Sequence, residues 1–337
     1  MKRVGFLIEA IADMDNLLLA FYKAQRGKQA KKEVVLYREC LQDNLLGMQK
    51  QILSGEVNVG SYHTFTIYDP KKRLICASCF EERVLHHALM NVCHPYFERQ
   101  LIFHTYATRI GKGTYSALEQ AHKYTIRYKY VAKLDVRKYF DSINHYILKR
   151  QLTKLFKDNV LLKIFSAIID TYATEKDCGL PIGNLTSQYF ANHYLSCLDH
   201  YIKEQLHISG YVRYMDDMLL FSDEKTVLYS KVEEIEKYFN ENLELKIKPP
   251  IIVSTKRGIS FLGYSLQSYR IGLNSRSRNR FSRKMNIYGK LLAKGEWSDR
   301  EYYEHITPLI SFTGHAYTKK LRRNIINKVE NRWALTV

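Results

Sequence analysis

Apolar positions recur at helical spacing near the start of the chain, at Phe6, Leu7, Ile11, Met14, Leu18 and Phe21. A basic stretch from Arg26 to Lys32 follows, and the spacing resumes at Leu36, Cys40, Leu45 and Met48. This predicts two helices over the first ~55 residues. Tyr62 to Tyr68 alternates instead, and Arg73 to Ala77 reads as its partner strand across the turn Asp69-Pro70-Lys71-Lys72. Glu81 to Phe97 is helical again. Tyr130 to Val136 is a strand running into charge, and helices are predicted over about 143–156, 159–172 and 186–207. Tyr211 to Tyr214 and Met218 to Phe221 are short strands flanking an acidic pair. A charged helix over about 225–242, strands near 244–253 and 259–269, and a helical last 60 residues complete the pattern. There is no repeat and no low-complexity linker. Helices alternate with strands, but the hairpin strands are antiparallel neighbours, so the expected class is α+β.

Charge changes the picture. The 337 residues carry 52 Lys and Arg against 34 Asp and Glu, a formal charge of +18. Such an excess predicts a polyanionic partner, most simply a nucleic-acid backbone. The 46% apolar content is ordinary for a globular protein and excludes a disordered tail, and the length suits two domains or one with lobes. No membrane span is expected, because the run from Phe6 to Phe21 is broken by Glu9, Asp13, Asp15 and Asn16. Met1-Lys2-Arg3 lacks the apolar core and cleavage site of a signal peptide. Six cysteines in so long a chain suit free thiols in a reducing cytoplasm. Cys76-x-x-Cys79, with His86, His87, Cys93 and His94 downstream, has part of a zinc spacing. Its second half is not a clean ligand pair, and Leu74, Ile75 and Phe80 make the stretch read as a buried strand.

The carboxylates carry the chemistry. Tyr214-Met215-Asp216-Asp217 lies between two apolar strands. Two adjacent carboxylates in a tight turn repel one another and make sense against a divalent cation, although a solvated Asp-Asp turn is the plainer alternative. Leu134-Asp135-Val136 ends another apolar strand, so the Asp135 side chain can enter a cleft. A strand pairing beside the hairpin would bring three carboxylates together. That set suits two Mg²⁺ ions about 3.5–4 Å apart, one activating a 3′-hydroxyl and one holding the leaving pyrophosphate.

Further motifs occur in a telling order. Arg73-Leu74-Ile75, then Glu82 to Leu89, then Tyr106-Ala107-Thr108-Arg109-Ile110-Gly111-Lys112-Gly113-Thr114 come first. Asp135 with Phe140, the Gly183-x-x-x-Ser187 loop, the Tyr-x-Asp-Asp hairpin and Phe261-Leu262-Gly263 follow. This series resembles the fingers and palm motifs of reverse transcriptases. More narrowly it is similar to the reverse transcriptases of diversity-generating retroelements, within a group II intron- and retron-like bacterial lineage, from about residue 15 to the basic C-terminal helices. The most specific stretch is Ile182-Gly183-Asn184-Leu185-Thr186-Ser187-Gln188. Most reverse transcriptases have Gln first and Pro last there.

The resemblance implies a right-hand polymerase fold: an N-terminal helical extension (1–60), fingers (61–128), palm (129–265, with fingers/palm helices over 143–172) and a basic helical thumb (266–337). It implies that Asp135, Asp216 and Asp217 are catalytic and, with Val136, form the metal set for Mg²⁺, with Mn²⁺ as a substitute. Phe140 would be the steric gate against a 2′-hydroxyl, although the residues alone also allow core packing. Arg73, Arg109 and Lys112 would hold the incoming dNTP, with Phe140, Ile182, Gly183 and Gln188 lining its site. Phe261, Leu262 and Gly263 would grip the primer, and Arg276, Arg278, Arg280, Arg283 and Lys284 would follow template RNA and the RNA/DNA hybrid. Lys246, Lys248 and Lys256 are equal candidates for the proton given to pyrophosphate. No room is left for an RNase H domain after the thumb, so the expectation is a protein that copies RNA and needs partners for the rest. The resembled family works in the bacterial or phage-infected cytoplasm with a small basic, oligomeric accessory protein, and misincorporates opposite template adenines. An antiphage defence reverse transcriptase shares the fold and chemistry. An idle RNA-binding scaffold is opposed by the intact carboxylates, and an RNA-synthesising polymerase by Phe140.

Overall fold

The N-terminal periodicity resolves into four helices rather than two: α1 (Ile8–Ala12), α2 (Met14–Gln25), α3 (Lys32–Glu39) and α4 (Leu41–Ser54). Asp13 makes the first break, because its carboxylate caps α2 by accepting from the backbone N–H groups of Asp15 (3.0 Å) and Asn16 (3.3 Å). This computed structural model describes residues 3–69 and 71–333. Pro70 of the expected turn, residues 1–2 and the last four residues of the expected thumb lie outside the described residues. The chain divides into two compact units, each discontinuous in sequence.

The first unit comprises Met1–Arg109, Val136–His207 and Glu233–Lys248. It holds α1 to α4 and the antiparallel hairpin of β1 (Tyr62–Ile67) and β2 (Arg73–Ser78), as the alternation predicted. It also holds α5 (Phe80–Gln100), α7 (His145–Leu155), α8 (Asn159–Asp170), α9 (Leu185–Tyr194) and α10 (Ser196–His200). The helix expected over 186–207 is interrupted at Leu195 and ends in a π-helical turn over Tyr201–Gln205. Phe97, Phe156, Phe165 and Phe190 meet edge-on or tilted at 5.3–6.3 Å between centroids, forming an aromatic core among α5, α8 and α9.

The second unit comprises Ile110–Asp135, Ile208–Val232 and Pro249–Val337. Its main sheet has four antiparallel strands in the order β4-β5-β3-β6, built from β3 (Tyr130–Asp135), β4 (Gly210–Tyr214), β5 (Asp217–Ser222) and β6 (Ile251–Ser254). The strand expected from residue 244 starts only after Pro249 and Pro250, which lack the N–H a ladder needs. Helix α6 (Thr114–Arg127) packs on β4 and β5; the hydrophobic reading passed over it. The strand expected at 259–269 splits into β7 (Ile259–Phe261) and β8 (Tyr264–Gln267), and β9 (Arg270–Leu273) joins them. Three helices end the described chain: α12 (Ser275–Ala293), α13 (Asp299–Gly314) and α14 (Lys319–Trp333). Phe281, Met285 and Val329 form their small core. The long charged helix α11 (Lys225–Asn242) matches its predicted span. The class is α+β, as the alternation of elements predicts.

Candidate active site

The register of β3 against β5 sets Asp135 directly opposite Asp217. Tyr214 pairs with Asp217 across the β4–β5 hairpin, so Met215 and Asp216 form a two-residue turn. Met215 has φ 54°, a left-handed conformation that two-residue hairpin turns demand and that costs a side-chain-bearing residue about 1 kcal/mol or more. Asp216 therefore stands at the tip, one residue from the carboxylate that faces Asp135. Lys133 lies on the same face of β3 as Asp135 and reaches diagonally to Asp217, with Nζ 2.9 Å from Oδ1 and 3.1 Å from Oδ2. Burial pushes the Asp217 carboxyl up to about 6, Asp216 and Asp135 add to that rise, and Lys133 opposes it.

Among the described residues no three His, Cys, Asp or Glu side chains close into a metal cage. An all-carboxylate donor set on adjacent strands fits a hard divalent ion of the Mg²⁺ kind, which is commonly held by one or two carboxylates plus substrate phosphates.

In the first unit three of the expected nucleotide-site residues, Phe140, Ile182 and Gly183, meet at one loop. The Ile182 carbonyl accepts from the Cys76 N–H of β2 at 2.8 Å, and the Leu180 N–H donates to the Phe140 carbonyl at 2.8 Å. Ser78 Oγ donates to the Asn184 side chain at 2.7 Å. Gly183 has φ +132°, and a Cβ there would stand 3.0 Å from the Cys76 carbonyl oxygen and 3.0 Å from Ile75 Cγ2. Only glycine fits. Phe140 is half-buried in the 3-10 turn Tyr139–Ser142, while Tyr139 beside it is buried and donates its hydroxyl to the Ala191 carbonyl. Ile182 is half-buried, Gln188 is exposed on the first turn of α9, and Arg73 is exposed at the start of β2. Cys76, considered as a zinc ligand, is buried in β2.

Arg109 is drawn into a structural network. Its guanidinium bonds Glu98 at 2.7 Å, the Ile102 carbonyl at 2.5 Å, and the Thr105 carbonyl and hydroxyl at 3.1 and 2.8 Å. These contacts brace the loop, and a triphosphate role for Arg109 stays a proposal. In the second unit Lys112 is half-buried just before α6, and Thr114 Oγ1, in the first residue of that helix, donates to Tyr214 Oη at 3.2 Å. The Arg137 N–H donates to the Lys246 carbonyl at 2.8 Å, and Val136 bridges Ile247, so Lys246 and Lys248 flank the segment that follows Asp135. Lys256 sits instead in the turn between β6 and β7.

Phe261 and Tyr264 pair across the β7–β8 turn, where Leu262 (φ 48°) and Gly263 (φ 91°) are both left-handed. Tyr264 anchors that turn to α13 through a 2.7 Å hydrogen bond to the Phe312 carbonyl. Arg276, Arg280, Arg283 and Lys284 share one face of α12 by helical spacing, opposite core-facing Phe281 and Met285; Arg278 lies off that row.

Two site residues escaped the sequence reading. Lys133 could have been found as the one cation in an otherwise apolar strand, two positions before Asp135. Arg213 is fully buried beside the acidic turn, and nothing in the sequence separates it from the surface arginines.

No curated protein matches the chain. Three solved structures are similar to the chain at low identity. Telomerase from Candida albicans with a fragment of telomeric RNA is 15% identical, with 87% of this chain and 60% of that chain covered and a TM-score of 0.49. A C-terminally truncated apo telomerase from Candida tropicalis is 11% identical, with 65% and 56% covered and a TM-score of 0.49. The untruncated apo telomerase from that organism is 11% identical, with 72% and 54% covered and a TM-score of 0.48. The chain thus spans at most 60% of the length of these telomerases. The family model for reverse transcriptase (RNA-dependent DNA polymerase) matches residues 68–266, more than half of the sequence, from β2 to β8 and across Asp135, Asp216 and Asp217. The chain belongs to the reverse transcriptase family.

Proposed function

We propose that this chain copies RNA into DNA and, more narrowly, that it is the reverse transcriptase of a diversity-generating retroelement. In that role it makes adenine-mutagenic cDNA from a template-repeat RNA for mutagenic retrohoming. The observation that carries the polymerase reading is Asp135 opposite Asp217, with Asp216 at the tip of the same hairpin. Family members generally use divalent ions, typically Mg²⁺. Two such ions bound by Asp135 and Asp216 with substrate oxygens, Val136 and Asp217 alongside, would acidify the primer 3′-hydroxyl and offset charge on the departing pyrophosphate. Mn²⁺ would substitute.

The chain's own residues then have distinct tasks. The primer 3′-oxygen attacks the α-phosphorus of a dNTP and displaces pyrophosphate, whose proton comes from Lys246 or Lys248, both exposed beside Val136 and Arg137. Arg73, Arg109 and Lys112 receive the triphosphate. Phe140, its carbonyl fixed to the loop that carries Ile182, blocks a 2′-hydroxyl. Phe261 to Gly263 seat the primer end. The basic face of α12 follows the template–primer backbone, as part of a thumb over 266–337 that complements fingers (61–128) and palm (129–265).

The narrower reading is supported by Ile182 in place of an amide at the loop that β2 and the Phe140 carbonyl hold. It implies a bacterial or phage host, a cytoplasmic setting and a small basic accessory protein; no helix among the described residues is long and apolar enough to cross a membrane. Sequencing cDNA made by the purified protein on its native RNA, with the accessory protein, tests it. Errors concentrated at template adenines support the reading. Uniform errors, in a genome without near-identical repeats differing at adenines, favour the antiphage defence role.

A further inference from the structure

Lys133 does more than neutralise Asp217. The same Nζ donates to the Ser260 carbonyl at 2.9 Å, and Ser260 immediately precedes the Phe261-Leu262-Gly263 turn. Ser260 Oγ in turn accepts from the Asn274 side-chain amide at 2.9 Å. Asn274 is the N-cap of basic helix α12, its Oδ1 accepting from the Ser277 N–H at 2.8 Å. A continuous polar path therefore runs from Asp217 through Lys133 and Ser260 to the start of α12, all within the second unit. The Lys133 side chain keeps only 17% of its exposure, so its bond to Asp217 is partly shielded from water, while the bonds to Ser260 lie at the surface.

We propose that Lys133 is a positioning residue that registers the primer-grip turn against the catalytic aspartates. It ties the Ser260 carbonyl and the Asp217 carboxylate to a single ammonium group. An ammonium has three donors and can serve both oxygen groups at once. Seating of the primer end on the β7–β8 turn would then be transmitted to Asp217, and through the register pair to Asp135. Phe261 to Gly263 as primer grip belongs to the function proposed above, and the inference rests on that reading.

The test compares wild type with Lys133→Met, Lys133→Arg, Asp217→Asn and the double variant Lys133→Met/Asp217→Asn in primer extension on a defined RNA template. For Lys133→Met the expected result is a rise in KM for primer–template of fivefold or more and a tenfold or greater fall in kcat. KM for dNTP should move less than twofold. Lys133→Arg, which restores a cation with several donors, should recover most of the primer KM. Melting without metal gives a readout apart from activity: Lys133→Met should melt below wild type, and the double variant above Lys133→Met, because the buried carboxylate left without its cation is gone. An unchanged primer KM in Lys133→Met, equal loss in the Arg and Met variants, or a change confined to dNTP KM would each overturn the proposal. Wild type that extends no primer on RNA would instead overturn the functional reading beneath it.

Discussion

Arg213 donates from Nη1 to the carbonyl of Met215 at 3.1 Å, and its side chain has no exposed surface. A buried guanidinium thus holds the left-handed residue of the turn that carries Asp216. The strain of Met215 persists because its surroundings fix it, as commonly happens at functional sites. Two cations thus support the hairpin: Arg213 inside it through the Met215 carbonyl, and Lys133 on the neighbouring strand through the Asp217 carboxylate.

Asp216→Asn should abolish DNA synthesis, to below a few per cent of wild type, while RNA binding stays within about twofold. Affinity comes from the basic surface, whereas the oxygen removed from the hairpin tip belongs to metal-assisted chemistry. Primer extension and RNA anisotropy on the same preparation decide it; residual extension well above that level would remove Asp216 from the metal set.

The steric gate gives a second prediction. Phe140 is half-buried while Tyr139 beside it fills the core, so shortening Phe140 should leave the fold intact. Phe140→Ala should raise the ratio of rNTP to dNTP incorporation by roughly tenfold or more, since steric exclusion disappears with the ring. An unmoved ratio would make Phe140 a packing residue only.

Much of this was legible beforehand because its causes are local. Alternation in β1 and β2, the apolar run of β3 and the acidic pair between β4 and β5 declare themselves within a few residues. What sequence could not give is pairing at a distance. Nothing along the chain says that Lys133 reaches Asp217, that the loop at Ile182 hangs from Cys76, or that Arg109 is drawn to Glu98. Helix α6 was passed over because three of its five buried residues, Ala117, Ala121 and Thr125, are small and weakly apolar, leaving only Leu118 and Tyr124 as larger signals.

The basic helix predicts a salt effect. Arg276, Arg278 and Arg283 are exposed on α12. Replacing all three by Gln should weaken template–primer binding and reduce the slope of log K against log salt by about one unit for each phosphate no longer neutralised. Titrations at several salt concentrations test this; an unchanged slope would put the nucleic acid on another face.

Acid should loosen the first unit. Burial pushes His193 and His87 down to about 4, from an ordinary value of 6.5. Lys23, His86 and Lys28 add to the depression at His87, while the Gln151 backbone, as an acceptor for the ring, opposes it at His193. Each is neutral when folded and readily charged when unfolded, so its contribution is complete above pH 6.5 and is lost as pH falls towards 4. The denaturant midpoint should be lower at pH 5 than at pH 7, and His193→Leu should lose part of that drop. An equal drop in the variant would exclude His193 as a source.

The last prediction concerns the loop that separates this chain from most reverse transcriptases. Ile182 is tied by its carbonyl to Cys76, and the neighbouring Gly183 cannot take a side chain without meeting β2. An amide at residue 182 can bond to the minor-groove edge of a correct pair and lose that bond when the pair is misshapen. Discrimination of this kind is worth on the order of 1–3 kcal/mol. Isoleucine offers only its surface. Since each 1.4 kcal/mol is about tenfold in rate, the missing bond could raise misincorporation severalfold to a hundredfold. Ile182→Gln, alone and with Gln188→Pro, should therefore lower errors opposite template adenine more than opposite the other bases. Ile182 is half-buried in the loop and Gln188 is exposed on the first turn of α9, so a melting curve for each variant checks its fold before errors are counted. Error spectra from one RNA template, read for wild type and both variants, measure the effect. Equal adenine error rates would assign the infidelity to another part of the pocket or to the accessory protein.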